Sequence, residues 1–191
     1  CYDIDRALIP ALIDCSYRGY EIDQDRLEAA IWTSEAVVSK TAVAFESLVA
    51  GNEVLLSRRK KTTKKRGVEY VETFGPPGIN SPIQLQRYFG TDSVDKDFLR
   101  GKAVGEGPEA LAAFLRQQWV AADKLLTTYF YPNRGKEKLT GLFNITPSED
   151  GEGGAGTGRL SSERANMQNQ TDAMEACLRA PEGFLLIRGD Y

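Results

Sequence analysis

The spacing of apolar residues changes once along the chain, near residue 136, and this change constrains the fold more than any other feature. Before it, apolar residues recur every three or four positions in segments that Gly and Pro interrupt, a pattern that predicts amphipathic helices. After it, only short apolar runs remain, at 139–146 and 184–187, and these predict β-strands. Helices followed by short strands predict an α+β fold.

Gly and Pro positions set the bounds of five predicted helices. The first runs from a cap at Asp3 or Asp5 to Arg18, with a kink or restart expected at Pro10. The others are predicted at 24–50, 82–89, 94–99 and 108–131. In the last of these, one face is expected to be buried: Leu111, Phe114, Leu115, Gln118, Ala122, Leu125 and Tyr129.

The composition excludes several classes of chemistry. The 191 residues contain no histidine, which removes Ser-His and Cys-His nucleophiles and imidazole zinc sites. Three cysteines, odd in number and far apart, argue against a disulfide framework and favour a reducing compartment such as the cytoplasm. No run is long and apolar enough to predict a membrane span, so no membrane partner is expected.

Positive charge is concentrated in one short run. Residues 58–66 read RRKKTTKKR, seven cations without an acid, in a chain whose net charge is −3, so the remaining 182 residues carry −10. Alternating residues on either side, at 53–57 and 68–74, predict a β-hairpin with this run at its tip. The run alone fits either a solvated loop or a surface that contacts phosphate groups.

The last thirty-five residues carry the polar groups best suited to a site. The apolar run 184–187 is expected to present Asp190 at the end of a strand, and a carboxylate there suits a hard divalent cation. Upstream, a guanidinium and three amides can donate hydrogen bonds to acceptors in a minor groove, namely Arg159, Asn166, Gln168 and Asn169. Taken singly, each of these groups is more typical of a turn or a surface network.

The order and spacing of these residues resemble family A DNA polymerases, the DNA polymerase I-like group that includes many phage replicases. Residues 157–162 read TGRLSS and 166–169 read NMQN, similar to a conserved segment of that family. Residues 185–191 resemble its motif A, an apolar strand that ends in Asp-Tyr. GYEID at 19–23 and INSPIQL at 79–85 resemble segments of its thumb.

The resemblance covers nearly the whole chain and implies a domain organisation. Residues 1–22 would lead into the palm, residues 23–132 would form the thumb, and residues 133–191 would form the first part of the palm, ending at motif A. The implied fold is a helical thumb with a basic β-hairpin insertion, followed by part of an antiparallel palm sheet.

The resemblance also implies an activity, DNA-directed addition of deoxynucleotides to a primer 3′-hydroxyl with two Mg²⁺ ions. Asp190 would bind both ions, and the carbonyl of Tyr191 would complete the shell of the nucleotide-bound one. The implied partners are primer–template DNA and an incoming dNTP. The location would be cytoplasmic, in the host cytoplasm if the chain is phage-encoded.

Further residues would contact DNA. Arg159 would lie in the minor groove at the primer terminus, and Asn166, Gln168 and Asn169 would touch the primer–template near the insertion site. Three thumb residues would contact duplex phosphates: Asn80, Ser81 and Lys124. With a thumb implied, the basic run is expected to contact phosphates through its seven cations: Arg58, Arg59, Lys60, Lys61, Lys64, Lys65 and Arg66.

Two alternatives stay open on the sequence. In the family, the fingers and the second catalytic carboxylate follow the position of Tyr191, so the chain alone is expected to be inactive and to need a complementary segment that supplies them. Its ends fit either a fragment of a longer chain or intein processing, since Cys1 is a nucleophile of the kind that splicing uses. A non-catalytic module that binds duplex DNA is the alternative function.

Overall fold

Helices come first in the chain and short strands dominate its end. The computed structural model describes residues 2–63, 67–144, 161–163, 167 and 169–187. Its α-helices are α1 (Tyr2–Arg18), α2 (Gln24–Val49), α3 (Pro82–Phe89), α4 (Lys96–Ala103), α5 (Pro108–Lys124) and α6 (Asp172–Glu175). Its strands are β1 (Tyr20–Ile22), β2 (Val54–Thr63), β3 (Gly67–Gly75), β4 (Lys138–Leu139), β5 (Leu142–Asn144), β6 (Ser161–Glu163) and β7 (Leu178–Arg179). The predicted α+β class is confirmed, with small antiparallel sheets.

Contacts divide the chain into two compact units. Unit 1 comprises residues Cys1–Trp32 and Leu125–Tyr191, and unit 2 comprises Thr33–Lys124. Helix α2 begins in unit 1, where the Asp23 side chain accepts a hydrogen bond from Arg26 N at 3.1 Å and caps the helix. The assignment of 23–132 to a thumb stays a prediction.

The core of unit 2 joins three helices and the loop that precedes α3. Phe45 and Val49 of α2 pack with Ile79, with Leu85 of α3 and with Ala112 of α5, and all five are buried. Helix α4 packs on α5, where Gln117 Nε2 donates to Leu99 O at 2.7 Å. These contacts hold α2, α3 and α5 as one body, because a close-packed interior resists any shift of its members.

The inward face of α5 differs from the prediction. Leu111 and Phe114 are each 48% exposed, and the residues that α5 buries are alanines: Ala110, Ala112, Ala113 and, as predicted, Ala122. The prediction from apolar periodicity favoured the large side chains as the buried ones. In the structure, helices that pack closely bury the small side chains of α5 instead. Beyond Lys124 the helix widens into a π-helical segment, Leu125–Phe130, so Leu126 and Phe130 point inward instead of Leu125 and Tyr129.

Unit 1 is organised around a three-stranded antiparallel sheet in the order β4-β1-β7. Tyr20 pairs with Leu139, and Glu21 pairs with Arg179. Gly19, immediately before β1, has φ +58° and lies against the carbonyl of Leu139. A glycine is required there because an L side chain rarely adopts that backbone conformation.

Gly19→Ala is therefore expected to destabilise unit 1 by at least about 1–2 kcal/mol, the cost of the left-handed conformation alone. The added Cβ would also clash with the backbone carbonyl oxygen of Leu139, so β4 would have to shift. Urea unfolding followed by circular dichroism measures the change. Gly101→Ala in α4 is the control, because its Cβ meets nothing within 4 Å, and it is expected to stabilise by about 0.5–1 kcal/mol. An unchanged midpoint for Gly19→Ala would contradict the expectation.

The strands predicted late in the chain need correction. Residues Phe184–Ile187 form no strand and are 47–89% exposed, so the buried strand expected to lead to Asp190 is wrong for the described residues. An apolar run favours extended backbone, but a β-strand also needs a neighbouring strand to which it can hydrogen-bond. No described strand pairs with this run. The strand predicted at 139–146 is divided into β4 and β5, and its last two residues lie outside the described ranges.

Strand β6 is one of the elements that the sequence prediction missed, together with β1, α6 and β7. Ser161 and Ser162 belong to the run TGRLSS, and they pair with Asn144 and Phe143 of β5. Serine has little preference for strands, so local propensity gave no signal of this pairing.

Candidate nucleic-acid interface

The predicted hairpin is confirmed as a long two-stranded ribbon formed by β2 and β3, but residues 58–61 lie within strand β2 and not at the tip, where the basic run was predicted. Arg58 pairs with Glu72, Arg59 with Val71, and Lys60 with Tyr70. Residues directly opposite one another in an antiparallel pair share a face, and successive residues alternate between faces. Arg58 and Lys60 therefore lie on one face with Tyr70 and Glu72, and Arg59 lies on the other face with Val71.

The base of the ribbon is anchored to unit 2. Val54 is buried, and the Arg87 guanidinium of α3 donates a hydrogen bond to Leu55 O. The pairing register shifts between Leu55 and Ser57, which indicates a β-bulge at the base. Beyond it the ribbon projects, since Arg58, Arg59 and Lys60 are all exposed and Lys60 lies about 20 Å along the strand from Val54.

The three described cations of the ribbon differ in their surroundings. Arg58 Nε lies 3.3 Å from Glu72 Oε1, and its guanidinium carbon lies 4.2 Å from the centroid of the Tyr70 ring. Arg58 thus has both an ion pair and a cation–π contact. Arg59 and Lys60 have no ion-pair partner among the described side chains.

Strand β3 brings exposed apolar side chains to the ribbon that the sequence prediction did not single out. Tyr70 is 55% exposed, and Val71 and Phe74 are exposed to a similar extent. The register of the hairpin would have indicated this position of Tyr70, because the pairing of β2 with β3 places Tyr70 opposite Lys60. A ribbon with cations on one strand and an aromatic ring on the other combines two kinds of group that nucleic acids bind.

Two predicted thumb contacts lie at the start of α3. Asn80 is exposed, and Ser81 is the N-cap residue, but its side chain makes no capping hydrogen bond. Gly78 N donates to Gln84 Oε1 at 2.8 Å, which holds the preceding loop against the helix. The Ser81 hydroxyl therefore does not cap α3, although serine at an N-cap position usually accepts a hydrogen bond from a backbone N–H of the first turn.

The remaining predicted site residues are placed as follows. Lys124 is exposed at the end of α5 in unit 2, and Asn169 is exposed in unit 1, where its carbonyl accepts a hydrogen bond from the Tyr129 hydroxyl at 3.5 Å. Lys61 is in β2, paired with Glu69, and its side chain is outside the described part. Eight predicted site residues lie outside the described ranges altogether: Lys64, Lys65, Arg66, Arg159, Asn166, Gln168, Asp190 and Tyr191.

The described residues do not themselves form a metal or thiolate site. Within the described ranges, no group of three or more acids and cysteines is placed to hold a metal ion. The only ligands predicted for Mg²⁺, Asp190 and Tyr191, are beyond those ranges. Burial, and then the nearby Asp23, raises the pKa of the Cys177 thiol, which stays protonated and donates to Ala173 O at 3.3 Å.

Comparisons with known proteins identify a fold and no family. The sequence matches no protein-family model and no curated protein. Among solved structures it is similar to the polymerase domain of Pol1 from M. smegmatis, in a complex with DNA primer–template and dNTP. The TM-score is 0.52, the identity is 19%, and the alignment covers 87% of this chain.

That similarity defines the class of fold. The chain shares the fold of part of a DNA polymerase domain, and it spans 27% of the length of the polymerase chain that it matches. No helix among the described residues has both the length and the apolar character needed to cross a membrane.

Proposed function

We propose that this chain is the thumb and first part of the palm, through motif A, of a phage-type family A DNA-directed DNA polymerase. The observation that carries the proposal is an agreement between two independent features. The motifs at 79–85, 157–162, 166–169 and 185–191 occur in the order of that family. The fold similarity to a polymerase domain extends over 87% of the chain.

In this proposal, residues 23–132 form the thumb and hold the duplex. Asn80 and Ser81, at the start of α3, are positioned on the same rigid body as the base of the basic ribbon. Hydroxyl, amide and cationic side chains are the groups that contact phosphates and set the register of a protein on DNA. Lys124, exposed at the end of α5, adds a further cation.

The palm portion supplies the motif A ligands, one part of the catalytic groups. The 3′-hydroxyl oxygen of the primer bonds to the α-phosphorus of the dNTP, the bond from that phosphorus to the β-phosphate oxygen breaks, pyrophosphate leaves, and the hydroxyl proton passes to solvent. Bound Mg²⁺ supplies charge neutralisation at the attacking and leaving oxygens. Asp190 and the Tyr191 carbonyl would hold the metal, since oxygen ligands are those that Mg²⁺ prefers.

The primer terminus is held by groups upstream of motif A. Arg159 donates hydrogen bonds into the minor groove, and Asn166, Gln168 and Asn169 contact the primer–template near the insertion site. The chain acts with a complementary segment that carries the fingers and the second carboxylate. Combining the two segments should give Mg²⁺-dependent primer extension, and the 191-residue chain alone should give none.

Duplex binding by the basic ribbon is one part of the proposal that can be tested with this chain. Replacing all seven cations of residues 58–66 by Ser is expected to weaken binding of primer–template DNA and to flatten its salt dependence. The slope of log K against log salt should fall by up to about 6, because each released phosphate contact contributes about 0.9. Fluorescence anisotropy of a labelled duplex, titrated at several salt concentrations, measures the slope.

Lys40→Ser combined with Lys96→Ser is the control. Both residues are exposed cations on helices outside the ribbon, so the slope should stay at the wild-type value. If the sevenfold Ser variant keeps the wild-type slope, the ribbon does not contact the duplex and this part of the proposal is wrong.

A further inference from the structure

We propose that the face of the ribbon that carries Lys60, Tyr70 and Phe74 binds unpaired nucleotides, with a base stacked on the Tyr70 ring. Single-stranded nucleic acid is then a second ligand of the ribbon, in addition to the duplex that the proposed function gives to its cations. The inference uses only the geometry of the ribbon, so it does not depend on the assignment of the chain to a polymerase.

Aromatic rings, and not charge, distinguish the two faces of the ribbon. The register gives each face the positions of two cations and one acid, Arg58, Lys60 and Glu72 on one and Arg59, Lys61 and Glu69 on the other. Tyr70 and Phe74 lie on the Arg58 face, because alternate residues of β3 share a face. The paired positions of the other face contain no aromatic residue.

The Tyr70 ring is held in place and still has open surface. The guanidinium carbon of Arg58 lies 4.2 Å from the ring centroid, and Arg58 Nε lies 3.3 Å from Glu72 Oε1. With Arg58 in this position, Tyr70 is nevertheless 55% exposed. A ring that its neighbours already hold loses little conformational freedom when a base stacks on it, which favours binding.

The charges on this face suit a strand of nucleotides. Glu72 is paired with Arg58, whereas Lys60, opposite Tyr70, is exposed and has no ion-pair partner among the described side chains. A phosphate next to the stacked base can therefore lie near Lys60. The seven cations of residues 58–66 favour a polyanion over an apolar protein segment as the ligand of the exposed rings. Rings beside cations are the combination with which proteins bind single strands without sequence preference.

The spacing of the two rings favours unpaired bases over a duplex. Phe74 is 56% exposed and lies four residues from Tyr70 in β3, about 13 Å along the strand. Successive bases of a duplex strand are stacked about 3.4 Å apart, so their faces cover one another. Nucleotides must unstack to place one base on each ring, and a single strand can do this without breaking base pairs.

The test measures how tightly the 191-residue chain binds a labelled oligothymidylate of about 12 nucleotides, a length within the range of single-strand sites. Tyr70→Ile keeps an apolar residue with a high strand propensity and removes the ring. It should weaken binding by about 5- to 150-fold, the range for one stacked base, and Phe74→Ile should weaken it within the same range. Fluorescence anisotropy measures the affinity.

Salt dependence separates stacking from charge. Tyr70→Ile should leave the slope of log K against log salt unchanged, because a stacked base releases no counterions. Lys60→Gln should lower that slope by about 0.7, the contribution of one phosphate contact on a single strand. The same anisotropy titration, repeated at several salt concentrations, measures both slopes.

Two further substitutions serve as controls. Tyr70→Phe retains the ring and should bind the oligonucleotide as tightly as the wild type. Val71→Thr changes a residue that is 49% exposed on the other face, keeps its branched shape and should also bind as the wild type does. Circular dichroism confirms that each variant is folded.

The inference is overturned if Tyr70→Ile or Phe74→Ile binds the oligonucleotide as tightly as the wild type. It is also overturned if Tyr70→Phe or Val71→Thr loses as much affinity as Tyr70→Ile. A blunt duplex titrated in parallel separates this inference from the proposed function. If the wild-type chain binds the duplex and not the oligonucleotide, the inference is wrong and duplex binding stands. If it binds the oligonucleotide and not the duplex, the inference stands and the proposed duplex binding is wrong.

Discussion

Under the proposed function, Asp190→Asn is expected to abolish nucleotide addition by a polymerase reconstituted from this chain and the proposed complementary segment. The substitution keeps the size of the side chain and removes the negative charge that would hold Mg²⁺. Metal stabilisation of the transition state is worth several kcal/mol, so the rate should fall by about 10³-fold or more. Primer extension under single-turnover conditions measures the rate, and anisotropy measures the affinity for primer–template, which should be unchanged.

The matched control is Asp92→Asn, which neutralises an exposed carboxylate next to the C-terminal end of α3. It should leave the extension rate at the wild-type value. If Asp190→Asn extends primers as fast as the wild type, motif A is misassigned. If the reconstituted wild-type protein binds duplex but never extends a primer, the chain is better described as a non-catalytic module that binds duplex DNA.

Phe45→Ala is expected to produce the largest loss of stability, about 3–5 kcal/mol. Phe45 is 0% exposed at the centre of the unit 2 core, between Val49 and the side chains of α3 and α5. Removing the ring takes away its burial and leaves a cavity that the three helices cannot fill without shifting. Urea unfolding followed by circular dichroism measures the change, with the free energy of unfolding taken by linear extrapolation.

Val43→Ala, two residues earlier on the same helix, is the control. Val43 is 61% exposed, so its truncation should change the free energy of unfolding by no more than about 0.5 kcal/mol. The core of unit 2 also holds α3, on which Arg87 anchors the ribbon, so Phe45→Ala should weaken duplex binding as well. A loss below about 1 kcal/mol would mean that Phe45 is not central to this core.

Local sequence signals predicted most helices and the hairpin. In the structure, the Asp23 cap sets the start of α2, and Pro82 and the left-handed Gly90 set the two ends of α3, close to the predicted ranges 24–50 and 82–89. Each of these signals acts within one turn of helix, through a cap, a fixed φ or a left-handed residue. The second short helix was displaced, since Asp95 caps α4 and the helix begins at Lys96.

Nonlocal pairing was beyond the reach of these signals. Strand β1 has three residues, and its partners Leu139 and Arg179 lie more than a hundred residues away. Nothing in a three-residue segment specifies such partners. The strand predicted at 184–187 is wrong for the converse reason. Its apolar residues favour a strand, but no strand among the described residues lies beside it to pair with.

The candidate site likewise has some features that the sequence predicted and others that only the structure shows. The sequence located the basic run and the motifs, because charge and residue order are visible without a fold. The sequence analysis treated the seven cations of 58–66 as equivalent, because the sequence alone does not show which side chains share a face of the hairpin. The register of β2 against β3 placed Glu72 and Tyr70 beside Arg58 and left Arg59 on the other side.

The sequence by itself determined that this chain is mainly helical before residue 136, with one hairpin, and that it has one concentrated run of positive charge, no histidine and segments that resemble polymerase motifs. Only the tertiary structure decided which α5 residues are buried, which strands pair in unit 1 and that Arg58 of the ribbon forms an ion pair with Glu72. The physical reason is that composition and caps act on neighbouring residues, whereas burial, strand pairing and charge neutralisation depend on groups that come together only when distant segments pack.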